Sequence, residues 1–313
     1  MPKFQLDILG CGSAKPNLQH LPSCQVINAR EQLMMIDCGE GAQLQMMRQR
    51  VGFSRLRHIF ISHLHGDHFL GLPGLISTLA LQNITGSITI HTFADGARML
   101  SDIIDYICRD RPFQLQFNII KESGQVLYDD NALSITTIGL RHRVPAVGFI
   151  FREKNKIRHI NPVACQAAGV PHYAMRALQQ GHDYQAPDGT VIANHRLTTE
   201  PDPCRSYAYI SDTRPSERVI EAINGIDWLY HEATYAQADR AKAHRHYHST
   251  SAQAAEIARR ANVKNLIIGH FSSRYANLAP LLTEARQIFP NTILANEGLT
   301  IDLNKDLPTL PST

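Results

Sequence analysis

The stretch Ile59-Phe60-Ile61-Ser62-His63-Leu64-His65-Gly66-Asp67-His68 decides how this chain reads. An apolar run gives way to three imidazoles and one carboxylate within six positions. Imidazole and carboxylate are the ligands that borderline divalent ions such as zinc take. In an extended segment, side chains i and i+2 point the same way, so His63 and His65 can grip one ion together. Gly66 lets the chain turn, after which Asp67 and His68 can face a second ion.

Beyond this stretch, other polar residues stand where apolar runs end. His142 follows LSITTIGLR, Asp212 follows SYAYIS, His270 follows NLIIG, and His231 and Glu232 follow DWLY. His248 stands directly before a helical pattern. Strand ends that share one edge of a layered fold would gather these groups. The tally suits two metals, one with His63, His65 and His142, the other with Asp67, His68 and His270. Asp212 has two carboxylate oxygens and can bridge them. A pair of ions about 3.5–4 Å apart acidifies a shared water and holds both oxygens of an in-line displacement. An oxygen-reducing di-iron site would be expected to have an acidic ligand in place of His65. Two Zn2+ ions are therefore the first expectation, with Mn2+ or Fe2+ as alternatives.

Short apolar runs alternate with helical patterns along the chain. FQLDIL, CQVINA, LMMID, RHIFIS, SITIHTF, FQLQFNII, LSITTIGL and VGFIF read as strands, and SYAYIS, WLYHEA, NLIIGH, TILA and LTIDL continue the series. Helices are predicted at Ala42 to Arg50, over GLPGLISTLAL, at Asp95 to Ile107, over HSTSAQAAEIARRANV with Ser249 or Thr250 as N-cap, and at Leu278 to Phe289. Strand-heavy halves flanked by helices predict an α/β, four-layer αββα sandwich. The halves are loosely alike in element order, as in a duplicated sandwich. Residues 152–204, rich in Ala, Gln, Gly and Pro, break this rhythm and read as an inserted arm within a single domain spanning 1–313.

The net charge of +3 does not by itself specify nucleic acid. Arg48, Arg50, Arg55 and Arg57 lie close together, as do Arg240, Lys242, His244, Arg245 and His246. Arg152, Lys154, Lys156 and Arg158 alternate with other residues, which predicts a cationic strand face. Three such clusters near candidate site segments favour a polyanionic substrate. The six cysteines are scattered without a CxxC pair, which argues against a disulfide framework or thiolate zinc site and predicts mostly small core residues. No apolar stretch is long enough to span a bilayer, and MPKFQLDILG has no secretory leader pattern, so a cytoplasmic protein is expected.

HLHGDH, with MIDCGEG upstream and NLIIGHFSSRY downstream, resembles the metallo-β-lactamase superfamily. HEAT at 231–234 and HST at 248–250 narrow the resemblance to the short form of ribonuclease Z, over essentially the whole chain. It implies a metallo-β-lactamase type sandwich and a homodimer that cuts precursor tRNA after the discriminator nucleotide. The products would be a tRNA with a 3′-hydroxyl and a trailer with a 5′-phosphate. By the same resemblance Asp67 would also orient or deprotonate the attacking water. His248, held by Glu232, would protonate the departing oxygen. A carboxylate behind an imidazole raises its basicity and fixes its tautomer, which gives that pair independent sense. Asp37 would support the metal loop or cap the turn near Gly39 and Gly41, and His231 is read as structural. Arg176 and Arg274 are the candidate RNA contacts.

Two segments depart from the family pattern. The arm keeps Gly169-Val170-Pro171 but continues as His172-Tyr173-Ala174-Met175, and no lysine occurs between His159 and Glu200. Near the N-terminus, Ala14-Lys15-Pro16-Asn17-Leu18-Gln19-His20 stands where many members carry a Pro-x-Lys-x-Arg-Asn loop. Two other function classes compete. A hydrolase of small phosphodiesters or other esters would share the histidine motif without needing the arm. An RNA-binding protein without catalysis would not need the full donor set.

Overall fold

A computed structural model of the chain describes residues 2–154 and 156–307. Apolar alternation at period two builds two seven-stranded sheets. The first takes β1 (Phe4–Gly10), β2 (Cys24–Ala29), β3 (Gln32–Ile36), β4 (Leu56–Phe60), β5 (Gly86–Thr92) and β6 (Phe113–Ile119). The second takes β7 (Val126–Asp129), β8 (Leu133–Gly139) and β9 (Val147–Glu153). Within the insert lie β10 (His159–Ile160), β11 (Tyr184–Gln185), β12 (Val191–Ile192) and β13 (Thr198–Thr199). The second sheet then resumes with β14 (Ser206–Ile210), β15 (Trp228–Glu232), β16 (Asn265–Gly269) and β17 (Thr292–Leu294), and β18 (Thr300–Asp302) returns to the first.

The sheets run β18-β1-β2-β3-β4-β5-β6 and β7-β8-β9-β14-β15-β16-β17. Read in that order, each has three antiparallel pairings followed by three parallel ones. The two halves are alike at this level, as their element order suggested. In β3, Met34 and Ile36 face the second sheet, while Leu33 and Met35 face the helices outside. Phe60 meets Phe149 and Phe151 across the interior, with ring centroids 5.5 and 5.8 Å apart. Each such fully buried side chain contributes roughly 1.5–3 kcal/mol.

Outside the first sheet, the helix Ala94–Ile107 buries Ala97, Leu100 and Ile104, one stripe at helical spacing. Outside the second, the helix Ser251–Arg260 starts at Thr250, whose capping box with Gln253 satisfies two backbone donors. The result is the four-layer αββα arrangement expected. The insert has its own apolar cluster of Cys165, Val170, Leu178, Tyr184 and Leu197, and β10 pairs antiparallel with β13 where the insert joins the sheet.

Among the described residues the cationic strand face does not form. β9 ends at Glu153, and beyond it Lys154 pairs with Asp129, Lys156 with Glu153 and Arg158 with Glu200, each at 2.7 Å. Charge alternation marked the cations but not the acids that neutralise them. β7 and the helix Arg240–His246 were not anticipated either. The cysteines are free, five of them buried and Cys204 exposed.

Candidate metal centre

The donors converge at one edge of the sandwich. β4 delivers the histidine motif, whose residues Gly66–Phe69 form a single helical turn. β8, β14 and β16 lead into His142, Asp212 and His270. Asp37, Asp212 and His270 all take positive φ, at 54°, 30° and 58°. Such backbone is uncommon for residues with a Cβ and clusters at functional sites. Gly39 carries the loop after β3 against the motif, because a Cβ there would lie 2.6 Å from the Asp67 carbonyl oxygen.

His65 Nδ1 lies 3.1 Å from both His63 Nε2 and His142 Nε2. The same two Nε2 atoms lie 3.5 and 3.6 Å from Asp212 Oδ2. The other carboxylate oxygen, Asp212 Oδ1, is 3.4 Å from His68 Nε2 and 3.0 Å from His270 Nε2. Asp67 Oδ2 completes that second group, 3.5 Å from each of those nitrogens. The seven predicted donors therefore form two clusters with Asp212 shared between them. His68 Nε2 and His270 Nε2 are buried without a hydrogen-bond partner among the described residues. Leaving such groups unsatisfied is costly, and a cation at this point would satisfy both.

The opposite ring nitrogens are engaged, which turns the Nε2 lone pairs inward. His68 Nδ1 lies 2.7 Å from Asp37 Oδ2, and Asp37 also accepts from Ser62 and from the Tyr209 hydroxyl at 2.7 Å. Asp37 thus takes the supporting position rather than serving only as a turn cap. His270 Nδ1 donates to Thr234 Oγ1 at 2.9 Å, and that hydroxyl donates to Glu232 Oε2 at 2.6 Å. Burial is the largest influence on His63 and His142 and holds both imidazoles toward the neutral form a ligand needs. Burial opposes ionisation of Asp212, but the His270, His68 and His63 imidazoles outweigh it and hold the carboxyl well below its usual range.

His248 stands beside both clusters, with Nδ1 2.9 Å from Glu232 Oε1. Burial alone would lower its pKa, yet Glu232 raises it to about 9. His231 lies outside both clusters, buried in β15 with Nδ1 on the Glu232 carbonyl.

Comparison with known proteins fits this geometry. The chain is 47% identical over 305 residues to the ribonuclease Z of Bacteroides thetaiotaomicron, covering 97% of this chain and 96% of that one. The chain belongs to the ribonuclease Z family. The ribonuclease Z of Porphyromonas gingivalis is likewise 47% identical, over 97% of this chain and 100% of its own. Among solved structures, the short form of human tRNase Z covers 96% of this chain and 99% of its own at a TM-score of 0.69 and 24% identity, a likeness of fold. The metallo-β-lactamase fold protein YhfI of Bacillus subtilis shares that fold at a TM-score of 0.67 and 16% identity. Residues 4–92 also match the family model described as Anti-Pycsar protein Apyc1, a stretch that contains the histidine motif.

In this ribonuclease Z family member the centre opens into a cleft of about 440 Å³. Arg143, Arg274 and His246 line it beside the donors, and Arg143 donates to His246 Nδ1 at 2.7 Å. Arg274 lies over the Tyr235 ring at 4.9 Å, whereas Arg176 is exposed on the insert, outside the cleft lining. Sequence reasoning missed Arg143, although it directly follows His142. It also missed Thr234, which stands two residues after Glu232 in the HEAT stretch. Nothing in the sequence marked Tyr209, which reaches Asp37 from 172 residues away.

Proposed function

We propose that this ribonuclease Z family member is a two-zinc endoribonuclease that cuts precursor tRNA on the 3′ side of the discriminator nucleotide. The observation that carries the reading is Asp212, whose two oxygens face the two donor clusters while His248 and Glu232 stand beside them. His63, His65 and His142 would hold one ion, Asp67, His68 and His270 the other, and Asp212 both. Bound there, the ions would acidify a water and neutralise phosphate oxygens.

The chain's own groups supply the proton steps. Asp67, kept ionised by its imidazole neighbours, orients the water and accepts its proton. Attack at phosphorus breaks the bond to the 3′ oxygen of the discriminator. His248, held protonated by Glu232, delivers its proton to that oxygen. The tRNA leaves with a 3′-hydroxyl and the trailer with a 5′-phosphate. Arg274 at the cleft and Arg176 on the insert contact the RNA backbone, and the insert serves as the substrate-binding arm of a single domain.

Family membership and the proposed substrate support a homodimer in the cytoplasm. Among the described residues no helix is long and apolar enough to cross a membrane. The deciding experiment is a single-turnover assay on precursor tRNA with a short trailer, with and without chelator. A metal-dependent cut at the discriminator is expected. Hydrolysis of bis-p-nitrophenyl phosphate without any RNA cut would return the protein to the small-ester hydrolases.

A further inference from the structure

We propose a third cation site, formed by Cys11, His20 and Glu297, that fastens the loop 11–22 beside the metal centre. His20 Nδ1 lies 3.4 Å from Cys11 Sγ and 3.0 Å from Glu297 Oε2. Cys11 Sγ is 3.6 Å from Glu297 Oε1. One imidazole nitrogen therefore faces both the sulfur and the carboxylate. A nucleophilic cysteine array places thiol and acid at opposite ring nitrogens, so that the imidazole can pass a proton between them. Donors crowded around one point are instead the arrangement of a coordination shell.

The two sulfur separations, 3.4 and 3.6 Å, agree with that reading, and the His20–Glu297 contact at 3.0 Å is shorter. Ordinary zinc bonds to sulfur, nitrogen and oxygen at tetrahedral angles put the donor atoms about 3.3–3.6 Å apart. Donor separations in the catalytic clusters run from 3.0 to 3.6 Å, the same span as in this trio. The Ala295 carbonyl oxygen, 3.5 Å from Sγ, is the next donor in reach. Thiolate, imidazole and carboxylate together suit zinc or a similar borderline ion. Cys11 is fully buried, and burial first and Glu297 second keep its thiol protonated in the free protein. Binding a cation would release that proton.

The site also has a mechanical connection. Leu21 N–H donates to Glu297 Oε1 at 2.8 Å, Gly12 bridges to both Pro22 and Phe271, and Ala14 N–H donates to Asp67 Oδ2 at 2.7 Å. Ala14 makes that contact from a positive φ of 64°. The trio holds the base of the loop whose other contact is a proposed catalytic carboxylate.

The test is to strip the full chain of metal and reload it with cobalt(II). The catalytic clusters offer only nitrogen and oxygen, so a thiolate-to-cobalt charge-transfer band reports sulfur ligation alone. A third equivalent of cobalt and a near-ultraviolet sulfur band are expected in the unaltered protein. Cys11→Ser should lose the band and one equivalent, and Cys204→Ser should keep both. His20→Gln should repeat the loss while leaving the buried thiol in place, which covers a folding failure of Cys11→Ser. Absence of the band in the unaltered protein, or its loss only in Cys204→Ser, would overturn the site and leave the trio a hydrogen-bonded latch.

Discussion

Glu232 Oε1 lies 2.9 Å behind His248 Nδ1, which leaves Nε2 as the free ring nitrogen beside the metal centre. The carboxylate is fully buried and also accepts from the Thr213 amide at 2.8 Å, so its position is fixed. The charge raises the His248 pKa to about 9, and the protonated form is the one that can act as an acid. The sign follows: single-turnover cleavage should fall as pH rises through that pKa. Glu232→Gln should move this basic limb to lower pH. A pH–rate profile checks it, and an unmoved limb would remove Glu232 from the acid pair.

Ligation and acid catalysis separate by mutation. His65→Ala is expected to lose metal and activity together, because His65 Nδ1 meets two other donors at 3.1 Å. His248→Ala should retain both ions and lose about 10²–10⁴ in rate, the ordinary cost of a positioned acid. Elemental analysis beside single-turnover rates decides it. A His248→Ala protein empty of zinc would show that the division of roles is wrong.

Support behind the ligands has its own expected signature. Asp37→Asn leaves the shape but weakens the charge-assisted contact to His68 Nδ1 at 2.7 Å. Metal affinity should fall about 10–100-fold. Tyr209→Phe, which removes one of the hydroxyls that orient Asp37, should give a smaller loss in the same direction. Chelator competition measures both, and unchanged affinity in Asp37→Asn would count against the supporting role.

The redrawn charge pattern predicts which cations grip RNA. Arg274→Ala and Arg176→Ala should each weaken precursor tRNA binding and lower the salt slope by about one. Lys154→Ala should leave the slope unchanged, because Asp129 already pairs with Lys154 at 2.7 Å. Binding isotherms at several salt concentrations test this, and equal effects of all three would restore the continuous cationic face.

Stability against acid should depend on a histidine pair between the sheets. His58 Nδ1 faces His91 Nε2 at 3.1 Å, and burial lowers their pKa values to about 4 and about 3. Both are depressed below the unfolded value, so their contribution is present above about pH 6.5 and is lost as pH falls through 4 and 3. His91→Gln should flatten the decline of the unfolding midpoint over that window. An unchanged slope in denaturant titrations would assign the acid sensitivity elsewhere.

Most strands, most helices and all seven donors of the two main clusters were legible in the linear sequence. Period-two patterns mark sheet faces, and HLHGDH is a short-range statement that the backbone must obey. That His142, Asp212 and His270 meet was decided only by the tertiary fold, because strand order brings together residues 58 to 128 positions apart. The fold also decided that Tyr209 supports Asp37, that Arg143 rather than Lys156 lines the cleft, and that Cys11, His20 and Glu297 share one point. Those facts depend on which side chain fills the space opposite, and a linear pattern of charge or polarity carries no record of its partner across the fold.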